Sequence, residues 1–143
     1  MSILSDARYN PSEKMVLVVD DEPHIVRLVE VNLQRAGYQV ITASSGAEAL
    51  EKISDEKPDL VTLDILMPEM DGFEVLRSIR SHPSTEDLPV VILSQLARHE
   101  DVFKGWQEGC NSYVAKPFNP RELLGFIERI FNSQVEESEK EGR

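Results

Sequence analysis

Five side chains of this sequence could act together on an anionic group: three aspartates, a serine and a lysine. Asp20 and Asp21 directly follow the apolar run MVLVV, Asp64 closes LVTLD, Ser94 closes VVILS and Lys116 closes SYVAK. Two adjacent carboxylates repel each other, and each loses hydration when it is held at the edge of a core. The pair Asp20 and Asp21 therefore predicts a positive group beside it.

The types of these side chains indicate which positive group that is. Carboxylate oxygens that converge without histidine or thiol ligands favour Mg²⁺, which keeps coordination sites for water or phosphate oxygens. A carboxylate beside such an ion can attack phosphorus and form an acyl phosphate. Lys116 and the Ser94 hydroxyl would then neutralise or hydrogen-bond the phosphoryl oxygens. We therefore predict magnesium-dependent phosphoryl chemistry.

These residues can converge only if the apolar runs are strands of one sheet. The predicted strands are 15–20, 38–43, 60–64, 90–94 and 112–116, and the alternating predicted helices are 25–36, 46–53, 73–80, 102–109 and 121–131. Runs one, three and four are apolar almost throughout, which is typical of parallel strands covered on both faces. Right-handed crossovers then give a three-layer doubly wound α/β fold, whose ligand crevice lies at the carboxyl ends of the strands.

The composition limits the partners and the location. The 143 residues fit one domain, and 15 basic against 26 acidic residues give a net charge of −11, which disfavours direct binding to nucleic acid or anionic lipid. The single cysteine cannot form an internal disulfide, and neither a membrane span nor a signal peptide is evident, so we expect a cytoplasmic protein. Residues 1–13 and 133–143 predict a flexible N-terminal tail and an acidic C-terminal tail.

Four motifs resemble one family. VVDDEP, LDILMPEMDG, VVILS and YVAKPF stand in the order and spacing of the receiver domain of two-component response regulators, the family that includes the chemotaxis response regulator. The resemblance runs from about Lys14 to Phe131 and implies a receiver domain over residues 14–132. It also implies a flavodoxin-like (βα)5 fold with a five-stranded parallel sheet in the order 2-1-3-4-5.

The resemblance implies a role for each of the polar residues. Asp64 is the phosphoacceptor, which takes a phosphoryl group from a histidine kinase or a phosphotransfer protein. Mg²⁺ is held by Asp20, Asp21, Asp64 and the backbone carbonyl of Leu66. Lys116 contacts the phosphoryl oxygens, and the bond that joins it to the following proline is cis, as in the family.

The resemblance also implies a conformational switch. On phosphorylation the Ser94 hydroxyl is drawn inward and Tyr113 follows into the space that it leaves, which changes the face made by the fourth helix, the fifth strand and the fifth helix. That face would signal to a downstream effector or form a homodimer. Val102 and Ser112 stand where the transcription-factor branch commonly has charged residues, which argues against that branch's ion-paired dimer.

Two other functions fit parts of the pattern. A Mg²⁺-dependent phosphohydrolase with an aspartyl-phosphate intermediate generally has a second acid two residues after the nucleophile, where this chain has Leu66. A flavin or nucleotide binder needs a Gly-rich or hydroxyl-rich phosphate loop after the first strand, which this chain lacks. We therefore expect a signalling module that catalyses only its own phosphorylation and dephosphorylation, and not an enzyme.

Three further residues have simpler interpretations. Glu22 either supports the acidic site from behind its ligands or is simply solvated, and we favour the solvated position. Cys110 is expected to be a small buried residue. Trp106 belongs to the predicted fourth helix, so it would be an anchor for a partner or a second copy if it is exposed.

Overall fold

The computed structural model describes residues 6–141, which alternate between strands and helices. The strands are β1 Met15–Val19, β2 Gln39–Ala43, β3 Leu60–Leu63, β4 Val90–Ser94 and β5 Ser112–Ala115, and the helices are α1 Pro23–Arg35, α2 Gly46–Glu56, α3 Gly72–Ser81, α4 His99–Glu108 and α5 Pro120–Glu141. All strand pairs are parallel and the sheet order is β2-β1-β3-β4-β5. The predicted doubly wound fold and its strand order are confirmed.

The central strands are buried on both faces because their apolar runs do not alternate with polar residues. β3 and β4 are buried throughout, as are the last four residues of β1. Successive side chains of a strand point to opposite faces, and the two faces of β1 enter two separate cores. Leu17 packs in a core with α2 and α3, whereas Val18 packs in a core with α1 and α5. The helices therefore cover the sheet on both sides.

Local signals in the sequence set the ends of the first two helices. Gly37 follows the C-cap of α1 with φ +102°, a left-handed conformation that glycine adopts without strain. The Ser45 hydroxyl accepts a hydrogen bond from the Glu48 N–H and caps α2. These two caps orient the short connections at either end of β2.

The N-terminal segment corrects the expectation of a flexible tail as far as it is described. Residues 6–13 contain a 3-10 helix, Pro11–Glu13, and lie against α5. The Tyr9 ring stands 5.2 Å from the Phe131 ring and 6.3 Å from the Tyr38 ring, and the two tyrosine hydroxyls are hydrogen-bonded. These contacts join residues far apart in sequence, so an aperiodic segment shows no local sign of them. Residues 1–5 lie outside the described part.

The acidic C-terminal segment also differs from expectation, because α5 continues as a helix through Glu141. Its last nine described residues are rich in Glu and contain no glycine or proline, so helix propensity continues after the apolar pattern has ended. Most of their side chains are exposed, which agrees with a charged surface segment.

α5 is 22 residues long. Within residues 6–141, neither it nor another helix combines the length and apolar character needed to cross a bilayer.

Candidate functional site

The strand ends bring the predicted residues to one edge of the sheet. Asp20 follows β1, Asp64 follows β3, Ser94 closes β4 and Lys116 follows β5. The Lys116 ammonium nitrogen lies 2.7 Å from Asp20 Oδ2 and 3.4 Å from Asp64 Oδ2. Parallel strands place their carboxyl ends side by side, so residues 96 positions apart in the chain meet here.

Four carboxylates gather beside this lysine. Asp20, Asp21, Glu22 and Asp64 each offer an oxygen within 4.8 Å of those of the others. Asp20 and Asp64 are buried, whereas Asp21 is exposed and Glu22 is half-buried. The donor set contains carboxylate oxygens and neither histidine nor thiol, which fits a hard divalent cation such as Mg²⁺. A cleft of about 390 Å³, lined by Asp20 and Asp21 and by residues of α1 and α2, adjoins the cluster.

Glu22 is the member of this cluster for which the sequence interpretation favoured the wrong one of two alternatives. It was expected to be solvated, but its Oε1 lies 3.4 Å from the Lys116 ammonium. Its backbone N–H also donates a hydrogen bond of 3.0 Å to Asp20 Oδ1. The available signal was the unbroken acidic run Asp20, Asp21 and Glu22 directly after a buried strand.

Burial and charge act in opposite directions at this site. Burial is the main cause that raises the pKa of Asp20, and the charge of Asp64 adds to it, while hydrogen bonds from Lys116 and from the Glu22 N–H lower it. Burial lowers the pKa of Lys116, but the hydrogen bond to Asp20 and the charges of Asp64, Asp20 and Glu22 outweigh it and leave that pKa raised. Lys116 is therefore held as an ammonium ion, and the acids around it still favour additional positive charge.

The loop after β3 holds Asp64 through its main chain. Asp64 Oδ1 accepts a hydrogen bond of 3.2 Å from the Leu66 N–H, and Gly72 N–H donates to the Ile65 carbonyl at 2.9 Å. A Cβ at Gly72 would overlap the Asp64 carbonyl oxygen and lie 2.8 Å from Ile65 Cα. Gly72 thus allows α3 to begin directly against the main chain of Asp64.

Ser94 and Tyr113 both bind the main chain of Leu96, a link that the sequence did not indicate. Ser94 Oγ is fully buried and accepts a hydrogen bond of 3.2 Å from the Leu96 N–H. The Tyr113 hydroxyl donates to the Leu96 carbonyl. The peptide groups of one residue therefore connect the two predicted switch residues.

Three other expectations have a clear outcome. The Lys116–Pro117 peptide bond is cis, as expected. Cys110 is buried and free. Trp106 and Phe103 of α4 are 52% and 64% exposed, which leaves two large aromatic side chains on the surface of this helix.

Comparisons with known proteins agree with this geometry. The family model described as the response regulator receiver domain matches residues 16–128. The alkaline phosphatase synthesis transcriptional regulatory protein PhoP of Bacillus subtilis is 40% identical over 138 residues, which cover 91% of this chain and 57% of that protein. The transcriptional regulatory protein GltR of Pseudomonas aeruginosa is 38% identical over 117 residues, 82% of this chain and 48% of that protein. The chain thus spans about half the length of these curated relatives.

Solved structures of single receiver domains match over nearly their whole length. A CheY-like response regulator receiver domain protein of Methanospirillum hungatei gives a TM-score of 0.81 at 31% identity, covering 87% of this chain and 98% of that one. Chemotaxis response regulator CheY4 of Vibrio cholerae gives 0.77 at 36% identity, covering 82% and 98%. With the family model matched from the first buried strand into α5, the chain belongs to the response regulator receiver domain family of two-component signalling systems.

Proposed function

We propose that this chain is a phosphoacceptor, which takes a phosphoryl group from a histidine kinase or phosphotransfer protein onto Asp64 in a Mg²⁺-dependent reaction. The observation that carries the proposal is the position of Asp64. Its side chain is 3% exposed, its Oδ2 lies 3.4 Å from the Lys116 ammonium, and it stands among the other acids of the site. Receiver domains are signalling domains that bind Mg²⁺ at an acidic pocket, and this cluster has the matching donors.

The residues that would hold the cation are Asp20, Asp21, Asp64 and the backbone carbonyl of Leu66. When bound, Mg²⁺ neutralises negative charge on the oxygens of the transferred group. Asp64 Oδ1 already accepts a hydrogen bond from the Leu66 N–H, which restrains the orientation of the carboxylate. This orients the carboxylate toward Lys116 before a donor arrives.

In the transfer, one bond to phosphorus forms and one bond to phosphorus breaks. A bond forms between an Asp64 carboxylate oxygen and phosphorus, while the bond from phosphorus to the donor's nitrogen or oxygen breaks. The leaving group keeps that electron pair, and a histidine nitrogen that leaves takes a proton from the solvent. The Lys116 side chain is 4% exposed and its ammonium lies 2.7 Å from Asp20 Oδ2, so it would supply fixed positive charge next to the phosphoryl oxygens.

The switch would pass through Leu96. If the Ser94 hydroxyl turns to a phosphoryl oxygen, it releases the Leu96 N–H, and the segment that also binds the Tyr113 hydroxyl becomes free to move. Tyr113 would then move inward and change the α4-β5-α5 face. That face is the proposed contact for a downstream effector or for a second copy of the chain, and Phe103 and Trp106 are its proposed apolar anchors.

Intact-mass spectrometry tests the phosphoacceptor directly. After incubation with acetyl phosphate and Mg²⁺, the parent should gain one phosphoryl group, and Asp64→Asn should gain none. Asp55→Asn, which removes an exposed acid of α2, should behave as the parent does. EDTA should abolish the adduct.

Two outcomes would contradict the proposal. An adduct that persists in Asp64→Asn would place the acceptor elsewhere. Sustained turnover of phosphoesters by the parent would support the alternative phosphohydrolase, which the apolar Leu66 two residues after Asp64 does not favour.

A further inference from the structure

Glu22 occupies an unusual position for a residue that begins a helix. It is the N-cap of α1, but its side chain makes no capping hydrogen bond. Serine, threonine, aspartate and asparagine are the usual N-caps because their short side chains reach the free N–H groups of the first turn. The Glu22 carboxylate instead points to the site, where Oε1 lies 3.4 Å from the Lys116 ammonium.

The three acceptors around Lys116 differ in what else they have to do. An ammonium group has three N–H donors, and here the partners are Asp20, Asp64 and Glu22. Under the proposed function, Asp20 binds the cation, and Asp64 binds the cation and then phosphorus. Glu22 has neither task, and at 36% exposure it lies at the rim while the other two side chains are 3% exposed.

A buried ammonium that loses its carboxylate partners destabilises the protein by several kcal/mol, because nothing then replaces its lost hydration. When the cation and the phosphoryl group engage Asp20 and Asp64, Glu22 is the carboxylate that still faces Lys116. The hydrogen bond from the Glu22 N–H to Asp20 Oδ1 also fixes the backbone of Glu22 relative to the site. Glu22 can therefore hold Lys116 in place while the other partners change.

We propose that Glu22 is a positioning residue for Lys116: its carboxylate keeps the ammonium directed at the phosphoryl site in the loaded state. This inference rests on the proposed function. It is distinct from a role of Glu22 as a direct ligand of the cation, since the residue acts through Lys116.

Beryllofluoride binding at saturating Mg²⁺ tests the proposal without phosphoryl transfer. The Mg²⁺ affinity of each variant is measured first by calorimetry, so that saturation is established separately for each. Glu22→Gln should weaken beryllofluoride binding by about tenfold, the range expected for losing a hydrogen bond between charged groups. Glu51→Gln is the matched control, because it removes the same charge from an exposed position of α2.

A double-mutant cycle with Lys116→Met separates positioning from metal ligation. If Glu22 acts through Lys116, Glu22→Gln should change beryllofluoride affinity by less than about twofold in the Lys116→Met background. In parallel, the ¹⁵Nζ signal of Lys116 in the loaded parent should shift or broaden in Glu22→Gln and stay unchanged in Glu51→Gln. A purely structural role of Glu22 at the helix start would not move that signal selectively, and thermal melting checks that both variants fold.

Three outcomes would contradict either the role of Glu22 or the proposed function. Equal effects of Glu22→Gln with and without Lys116 would mean that Glu22 acts on the cation itself, and the inference would be wrong. Unchanged affinity and an unchanged Lys116 signal in Glu22→Gln would refute it as well. A parent that binds neither Mg²⁺ nor beryllofluoride would instead refute the proposed function.

Discussion

Gly105 of α4 lies directly against the ring of Tyr113, and a Cβ at Gly105 would stand 2.7 Å from Tyr113 Cδ2 and 3.1 Å from Ile92 Cδ1. The absence of a side chain at this position lets the tyrosine pack under α4 and donate its hydrogen bond to the Leu96 carbonyl. The same helix carries the exposed Phe103 and Trp106. The packing of Tyr113 is therefore coupled to the helix that presents the proposed signalling surface.

Gly105→Ala should destabilise the fold and move Tyr113. Overpacking costs about 1–3 kcal/mol, which exceeds the gain of about 1 kcal/mol from the better helix propensity of alanine. Gly125→Ala in α5 is the control, because apart from its own stretch of helix no atom lies within 4 Å of a Cβ there, and it should gain about 1 kcal/mol. Urea unfolding measures both, and NMR of the Tyr113 ring reports its position. Equal stabilisation at the two glycines would show that Tyr113 does not limit the space at Gly105.

Gly72→Ala should disturb the acid site through the backbone of Asp64. The added methyl group would overlap the Asp64 carbonyl oxygen, so the start of α3 or the β3 end must shift. We expect a loss of roughly 2 kcal/mol in unfolding free energy and weaker Mg²⁺ binding. Calorimetric Mg²⁺ titration and urea unfolding check the two effects. Parent-like values for both would mean that the loop has room that its contacts do not indicate.

Leu66→Asn should shorten the lifetime of a phosphoryl group on Asp64. The Leu66 N–H donates to Asp64 Oδ1, and the apolar side chain of Leu66 is 50% exposed. We expect this side chain to hinder a water that approaches the acyl phosphate from solvent. An amide that orients this water by one hydrogen bond would speed hydrolysis about five- to tenfold. The rate is followed by loss of the phosphoryl adduct in intact-mass spectra. Leu28→Asn, at a 42% exposed leucine of α1, should leave the lifetime unchanged.

The stability of the fold should fall in alkaline solution. Burial raises the pKa of the Cys110 thiol from 9.0 to about 11, and it raises the pKa of the Tyr113 hydroxyl from 10.0 to about 12. Because the unfolded chain releases these protons at lower pH than the folded chain does, the stabilisation is complete below pH 9 and is lost as the pH rises toward 11 and 12. Each group contributes a slope of up to about 1.4 kcal/mol per pH unit.

Urea unfolding of the parent and of Cys110→Ala between pH 7 and about 11 measures this loss. The variant should have a shallower pH dependence from pH 9 upward, since it lacks the contribution of the Cys110 thiol. If both proteins lose stability with the same slope, the Cys110 thiol does not contribute.

Tyr9→Ala should lower the unfolding free energy by about 1–3 kcal/mol, because the half-buried ring packs on Phe131 and its hydroxyl bonds to that of Tyr38. Arg8→Ala, which removes the ion pairs to Glu136 and Glu139, should cost less than about 0.5 kcal/mol, since all three side chains are about half exposed. Thermal and urea unfolding compare the two. If Tyr9→Ala is neutral, residues 6–13 do not stabilise α5.

Local patterns in the sequence were sufficient to predict the sheet and four of its polar strand ends. Buried parallel strands are recognisable as short apolar runs, and a doubly wound topology forces their carboxyl ends to one edge. Each such run is closed by one of the polar residues Asp20, Asp64, Ser94 and Lys116, so the sequence alone predicts their convergence. The geometry agrees, with Lys116 within 3.4 Å of both buried aspartates.

Only the tertiary structure decided which further groups join them. Whether Glu22 turns to the solvent or to Lys116, whether Tyr9 packs on Phe131, and whether Ser94 and Tyr113 share Leu96 all depend on side-chain directions and on contacts between distant segments. A strand or helix period reports which face of an element is buried, but it carries no information on the partner that covers it. The sequence by itself therefore determined which reactive side chains stand at the carboxyl ends of the strands. The packed fold determined which neighbouring residues hold those side chains in position.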